Sequence, residues 1–288
     1  MAFLKEEIRR GAEGLKGCQR ALKVLLSTKD CQHRVYPLLL CASPVFRRSA
    51  ASATCKPIQV CFILHTMCTN FTATRNNPWV KEHLKVDLPS APYPPEAYPG
   101  YAAPLVVKRH STGRVACGLA RFGLIPAWAK DDKISRHTYN ARAETVASKP
   151  SYRTPWRQRR YGIVLLDNFF EPHYGSGQAQ RWQIALASHE PFGIASIWDT
   201  WTDPASGELV TSFSMLTVNA DAHPVMNQFH KPDDEKRTPL VLATTQFEAW
   251  LGATPDEAQA MMHWHDMPEL VTMSAVAKVS RHEMKEAS

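Results

Sequence analysis

From residue 104 onward the chain alternates short apolar runs with turn residues, at the spacing of strands rather than helices. The pattern predicts strands over residues 104–110, 115–126, 161–170, 181–187, 192–202, 209–218 and 238–243. "DPASGE" between the sixth and its predecessor has the composition of a hairpin turn. Two helices come late. "TTQFEAWLG" (244–252) opens with a capping-box pattern from Thr245 to Glu248, and "TPDEAQAMMHW" (254–264) has Thr254 as N-cap, Pro255 at N1 and Glu257 at N3. Residues 76–104, rich in Pro and Tyr, read as an irregular, partly extended loop. No βαβ alternation, GxGxxG, P-loop or internal repeat is present. The expected fold class is α+β, a largely antiparallel, barrel-like β core with flanking helices.

Charge divides the 288 residues unevenly. Residues 1–66 carry eleven Lys/Arg against four Asp/Glu, leaving 23 of each for residues 67–288. The pI near 9.0 therefore describes the first segment, and affinity for a polyanion in the remainder has to come from a local patch. Five of the seven cysteines, Cys18, Cys31, Cys41, Cys55 and Cys61, also precede Met67; only Cys68 and Cys117 follow. That usage fits a reducing compartment, and without a CxxC pair no zinc or other metal site is expected. "VYPLLLCASPVF" is too short and too proline-broken to span a membrane. Residues 1–66 are expected to be an unstructured or misassigned N-terminal extension, and 67–288 the folded domain.

Five segments carry candidate chemistry: "MCTNF" (67–71), "RFGLIPAW" (121–128), "NARAET" (140–145), "LLDNFFEP" (165–172) and "LTVNADAHPVMNQFHKPDDEKRTPLVL" (216–242). In order and spacing they resemble the SOS response-associated peptidase (SRAP) family, the abasic-site processing proteins, over about residues 67–265. In that family a Cys directly follows the initiator Met, so the resemblance makes Met67 the expected start and Cys68 the mature first residue. An N-terminal cysteine offers an amine and a thiol on adjacent carbons. The amine, with a pKa near 8, attacks an aldehyde to give an imine, and the thiol closes on the imine carbon as a thiazolidine. The ring-opened sugar of an abasic site is such an aldehyde. The resemblance thus implies a covalent crosslink to abasic single-stranded DNA, with peptidase (hydrolase) and lyase activity, in a cytoplasmic, nucleoid-associated bacterial protein of the DNA damage response. It implies no cofactor and, by needing no partner subunit, a monomer.

Carried over residue by residue, the resemblance assigns Asn140, Glu171 and His230 to catalysis beside Cys68. Asn140 would orient the cysteine amine. Glu171 ends an apolar run, where partial desolvation suits a carboxyl to proton transfer. His230 is the candidate proton shuttle, an imidazole's ordinary pKa lying near neutrality, with His223 as its rival. Arg142 and Arg237 are candidate phosphate contacts, Trp128 a stacking residue and Thr217 a further DNA contact. "SYRTPWRQRRY" (151–161) interleaves Arg153, Arg157, Arg159 and Arg160 with Tyr152, Trp156 and Tyr161, the mixture found in single-strand grooves. Glu144 reads as a structural ion-pair partner. The sequence departs from the family pattern at several points. Asn70 replaces an Arg, Asn168 a Gly whose left-handed backbone Asn can adopt, and Pro172 a Trp; the spacer between His230 and Arg237 is longer. Two other readings use the same residues: a thiol (auto)peptidase with Cys68 as nucleophile and His230 as base, and a non-catalytic binder of single-stranded or modified DNA.

Overall fold

The computed structural model describes residues 70–109 and 112–275. The N-terminal extension expected at 1–66, together with Cys68, lies outside the described residues. In chain order the elements are β1 (Asn70–Ala73), α1 (Asn77–Leu84), β2 (Glu96–Ala97), β3 (Ala102–Lys108), β4 (Val115–Phe122), β5 (Asn140–Arg142), α2 (Arg153–Arg157), β6 (Tyr161–His173), β7 (Gln180–Leu186), β8 (Phe192–Thr202), β9 (Leu209–Asn219), β10 (Arg237–Pro239), β11 (Val241–Leu242), α3 (Phe247–Gly252), α4 (Pro255–Ala260) and β12 (Leu270–Ser274).

Five of these strands close a barrel in the order β3–β4–β9–β8–β6 and back to β3. The β4–β9 pairing is parallel and the other four are antiparallel, so the barrel is mixed. Closure leaves these strands no open edge. The remaining strands extend the sheet: β1 and β7 on β6, β2 on β1, β12 on β7, β5 and β10 on β9, and β11 on β8. The α+β, barrel-like class expected from the sequence is the observed one.

Over most of their length both faces of β3, β6 and β8 are covered, which accounts for their uncharged runs. Along β6, Val164 and Leu166 enter one core with Phe122, Phe213 and Phe192, while Ile163 and Leu165 enter a second with Trp79, Phe247 and Trp250 from the helices. Strand β6 is unusually long. Its first half, Tyr161–Leu166, pairs with β8, and its second half, Phe169–His173, pairs with β7. It therefore runs out of the barrel wall and carries Glu171 with it.

Several boundaries differ from the sequence reading for local reasons. The strand expected over 115–126 stops at Phe122 because Gly123 turns at φ +110°, where a Cβ would strike the Ser135 carbonyl oxygen. The stretch expected to be irregular contains α1. The Asn76 side chain caps the Trp79 N–H, Pro78 lies in the first turn, and Trp79, Val80 and Leu84 supply the buried face. Residues 238–243 do not form one strand. Leu240 donates its N–H to Leu216 O at 2.9 Å while β10 pairs with β9 and β11 with β8, so the chain changes partner within six residues. The Thr245–Glu248 capping box is replaced by Gln246, whose Oε1 accepts the Ala243 N–H at 2.9 Å. The Thr254–Glu257 box forms as expected, but its helix ends at Ala260. Asn168 does not take a left-handed conformation. It lies within β6, accepting from Thr72 Oγ1 at 2.9 Å, and a register shift opposite Thr72/Ala73 absorbs Asp167 instead.

Candidate functional site

Glu171 lies three residues from the end of β6 as counted inclusively, paired across to Trp182 of β7, and its side chain is closed to solvent. His230 comes to it from the loop after β9. The His230 N–H donates to Pro172 O at 3.0 Å, and Phe229 bridges to His173, so backbone bonds clamp the loop to the end of β6. His230 is held at φ +63°, a conformation uncommon for a non-glycine residue, and this backbone turn accompanies a ring aimed at the carboxylate. Its Nε2 stands 3.2 Å from Glu171 Oε2, with 6% of the imidazole side chain exposed. A carboxyl and an imidazole in this contact, out of water, can pass a proton between them and to a third group.

The strand β1 enters beside this pair. Asn70 is opposite Phe170, one residue before Glu171. Asn70 Nδ2, Tyr98 Oη and Arg181 Nη2 all donate to Glu96 Oε1, and the Arg181 guanidinium lies over the Phe170 ring. This cluster ties β1, β2 and β7 together next to Glu171. It was not legible in the sequence, because Glu96 and Arg181 are 85 residues apart and neither stands in a motif. Cys68 is two residues before Asn70 and lies outside the described residues.

Asn140 begins β5, beside Met215 of β9, and its carbonyl accepts from Tyr152 Oη at 3.0 Å. Two residues on, Arg142 is half-exposed and its Nη1 contacts Glu235 Oε2 at 2.8 Å. Arg237, expected to contact phosphate, has its side chain engaged inside the protein. Its side chain is buried, Nη1 and Nη2 meet Glu144 at 3.1 and 2.9 Å, Nη1 meets Glu235 at 2.6 Å, and Nε and Nη2 donate to Thr217 Oγ1 and Thr217 O. Thr217, expected as a further DNA contact, is likewise buried on β9, where it accepts hydrogen bonds from Arg237 and from the Ala143 N–H. Glu144 is the ion-pair residue anticipated for it.

The basic-aromatic segment also divides. Tyr152, Trp156 and Tyr161 are buried in the helix-side core and cannot stack on a base, while Arg153 and Arg157 point outward from α2. Arg160 pairs with the buried Asp199 and lies over the Trp198 ring, so its charge is spent internally. Burial raises the Asp199 pKa, with Arg160 opposing. Trp128 is 58% exposed, its Nε1 donating to Pro150 O at 3.4 Å just before α2. His223 takes no part in the pair. Its Nδ1 accepts the Val225 and Met226 N–H groups, both at 3.1 Å, and burial lowers its pKa. Among the described residues no three His, Cys, Asp or Glu side chains group as a metal site would require, and no helix is long and apolar enough to cross a membrane.

Residues 67–282 match the family described as SOS response associated peptidase (SRAP). The abasic site processing protein YoqW of Bacillus subtilis (strain 168) is 29% identical over 212 residues, covering 71% of this chain and 90% of its own length. The abasic site processing protein YoaM of the same organism is 30% identical over 212 residues, covering 71% and 88%. A Bordetella bronchiseptica protein solved by X-ray crystallography superposes with a TM-score of 0.66 at 27% identity, covering 73% of this chain and all of that one. The matched span contains all five motif segments together with the Glu171–His230 pair, and the chain belongs to the SRAP family.

Proposed function

We propose that this protein processes abasic sites in single-stranded DNA by forming a covalent crosslink through Cys68 once residues 1–67 are absent. The observation that carries the reading is the buried Glu171–His230 contact of 3.2 Å beside the start of β1. Asn70, two residues after Cys68 in the sequence, pairs with the residue before Glu171. That YoqW and YoaM are abasic site processing proteins supports an abasic site as the substrate.

The steps balance without a co-reactant. The neutral α-amine of Cys68 adds to the C1 aldehyde of the opened sugar, and the carbonyl oxygen leaves as water after protonation. The thiol then adds across the imine: sulfur bonds to carbon and its proton passes to nitrogen, giving the thiazolidine. Glu171 and His230 supply and accept those protons, and Asn140 orients the amine. An internal Cys68 cannot react this way, because its nitrogen is an amide. The reading therefore makes residues 1–66 either a segment that is not translated or one that is removed, and 67–288 the working domain. Arg142, Arg153 and Arg157 contact phosphates, Trp128 stacks on a base, and the protein acts as a monomer in the bacterial cytoplasm.

The test compares chains beginning at Met1 and at Met67, each mixed with single-stranded DNA carrying one abasic site and run under denaturing conditions, with intact mass taken first. The Met67 chain should lose its Met and shift with the DNA, and the uncut Met1 chain should not. If neither shifts, crosslinking is excluded, and thiol peptide cleavage or plain DNA binding becomes the account to pursue.

A further inference from the structure

Glu235 belongs to the segment between His230 and Arg237, and its two carboxylate oxygens hold different arginines. Oε1 takes Arg237 Nη1 at 2.6 Å and Oε2 takes Arg142 Nη1 at 2.8 Å. The two contacts are unequal in kind. Arg237 is buried and also gripped by Glu144 and Thr217, whereas Arg142 is half-exposed and Glu235 is its ion-pair partner. Asn219 Nδ2 donates to Glu235 Oε1 as well, at 3.3 Å. Burial works to raise the Glu235 pKa, and Arg237, Asn219 and Arg142 outweigh it, so the carboxyl is held below its ordinary value and charged.

The geometry points to Glu235 as an internal competitor with DNA phosphate for Arg142, a specificity device built into the segment between His230 and Arg237. A guanidinium already charge-paired has to exchange Glu235 for a phosphate when DNA arrives. The exchange leaves the loop in place, because Oε1 keeps Arg237 and Asn219. An exposed pair is weak enough to exchange readily. Only a ligand presenting a phosphate at Arg142 recovers what the released contact loses, so loosely placed polyanions gain less from this site. This inference rests on the DNA-binding reading above.

The experiment is a double-mutant cycle on the full chain, with an intact single-stranded oligodeoxynucleotide as probe so that no covalent step enters. Wild type, Glu235→Gln, Arg142→Ala and the double variant are titrated at fixed salt. Glu235→Gln should tighten binding about twofold to fivefold, the exchange value of an exposed pair, and the gain should vanish in the Arg142→Ala background. Glu235→Asp keeps the charge but is one methylene too short to hold both arginines, so it should also tighten binding. Asp233→Asn, which removes a neighbouring charge without touching Arg142, should tighten it less. An equal gain from Glu235→Gln in both backgrounds, or no gain, overturns the competitor. If wild type binds no DNA, the proposed function falls and the competitor with it; if wild type binds and the cycle shows no coupling, the competitor alone falls.

Discussion

His230 Nε2 lies 3.2 Å from Glu171 Oε2, and the contact joins residues 59 apart in sequence through a left-handed His and a strand that has left the barrel wall. Neither side chain would be placed there by its own element. Strand β6 presents the carboxylate only because pairing with β7 carries it past Leu166, and the loop presents the imidazole only because Pro172 O captures the His230 N–H. Pro172 itself has no N–H to give to a ladder, and its carbonyl becomes the anchor.

Replacing Glu171 by Gln keeps the shape and removes the exchangeable proton. Crosslinking to abasic DNA should slow by about a hundredfold or more, the usual contribution of a positioned acid or base, while thermal unfolding stays close to wild type. His230→Asn should behave alike, since Asn tolerates the left-handed backbone; His230→Val should also destabilise the fold. Single-turnover gel kinetics alongside melting curves decide it. Unchanged rates in both Glu171→Gln and His230→Asn remove the pair from the chemistry.

Much of this was legible in the residues. The strands of 192–202 and 209–218 announced themselves as apolar runs with a turn between, and β8 and β9 follow those runs closely. Strand closure could not be read, because the parallel β4–β9 contact joins Phe122 to Phe213 and leaves no local trace. The failures share a cause. Tyr152 and Trp156 alternate with arginines like a stacking surface, yet a five-residue helix turns the aromatics inward and the arginines out. Arg237 had the right neighbours in sequence for a phosphate contact, but its fate was fixed by Glu144, 93 residues away.

Arg237 therefore belongs to stability. Arg237→Ala leaves Thr217 O with one donor fewer and takes the Arg237 contact from Glu144 and Glu235, though Glu235 keeps Arg142 and Asn219. The carboxylates left behind are partly exposed and can hydrate, so the cost is that of the hydrogen bonds lost inside the protein, about 2 kcal/mol, or roughly 4–8 °C in Tm for a domain of this size. Affinity for single-stranded DNA, measured well below that Tm, should change by less than about twofold if only exposed phosphate contacts matter. A large loss of affinity without a stability change would restore Arg237 to the DNA-binding set.

Trp128 and Trp156 should separate in opposite directions. Trp128 is mostly exposed, so Trp128→Ala should alter stability by no more than about 0.5 kcal/mol, yet weaken single-strand binding by about 1–3 kcal/mol if a base stacks on it. Trp156 is 2% exposed in the helix-side core, and Trp156→Ala should cost about 3–5 kcal/mol of stability. Fluorescence-detected denaturation and oligonucleotide titration of each variant suffice. DNA affinity indifferent to Trp128→Ala leaves the exposed indole without a role in binding.

His223 gives the fold a dependence on pH that is separate from the chemistry. Its Nδ1 accepts the N–H groups of Val225 and Met226, which requires an unprotonated nitrogen there, and its ring packs on Trp264 with centroids 5.1 Å apart. Burial lowers its pKa from 6.5. For a group whose folded pKa lies below the unfolded one, the stabilisation is complete above the unfolded value and is lost as pH falls through the folded value. Wild type should therefore lose stability from just below pH 6.5 downward, the unfolded chain taking up the proton first. In His223→Asn the amide oxygen can still accept a backbone N–H but does not titrate. Urea denaturation of both proteins at pH 7.5 and pH 5 measures the difference: wild type should lose more stability across that interval than the variant. Equal losses would mean that the His223 ring is accessible to protons in the folded protein and that Val225 and Met226 do not depend on it.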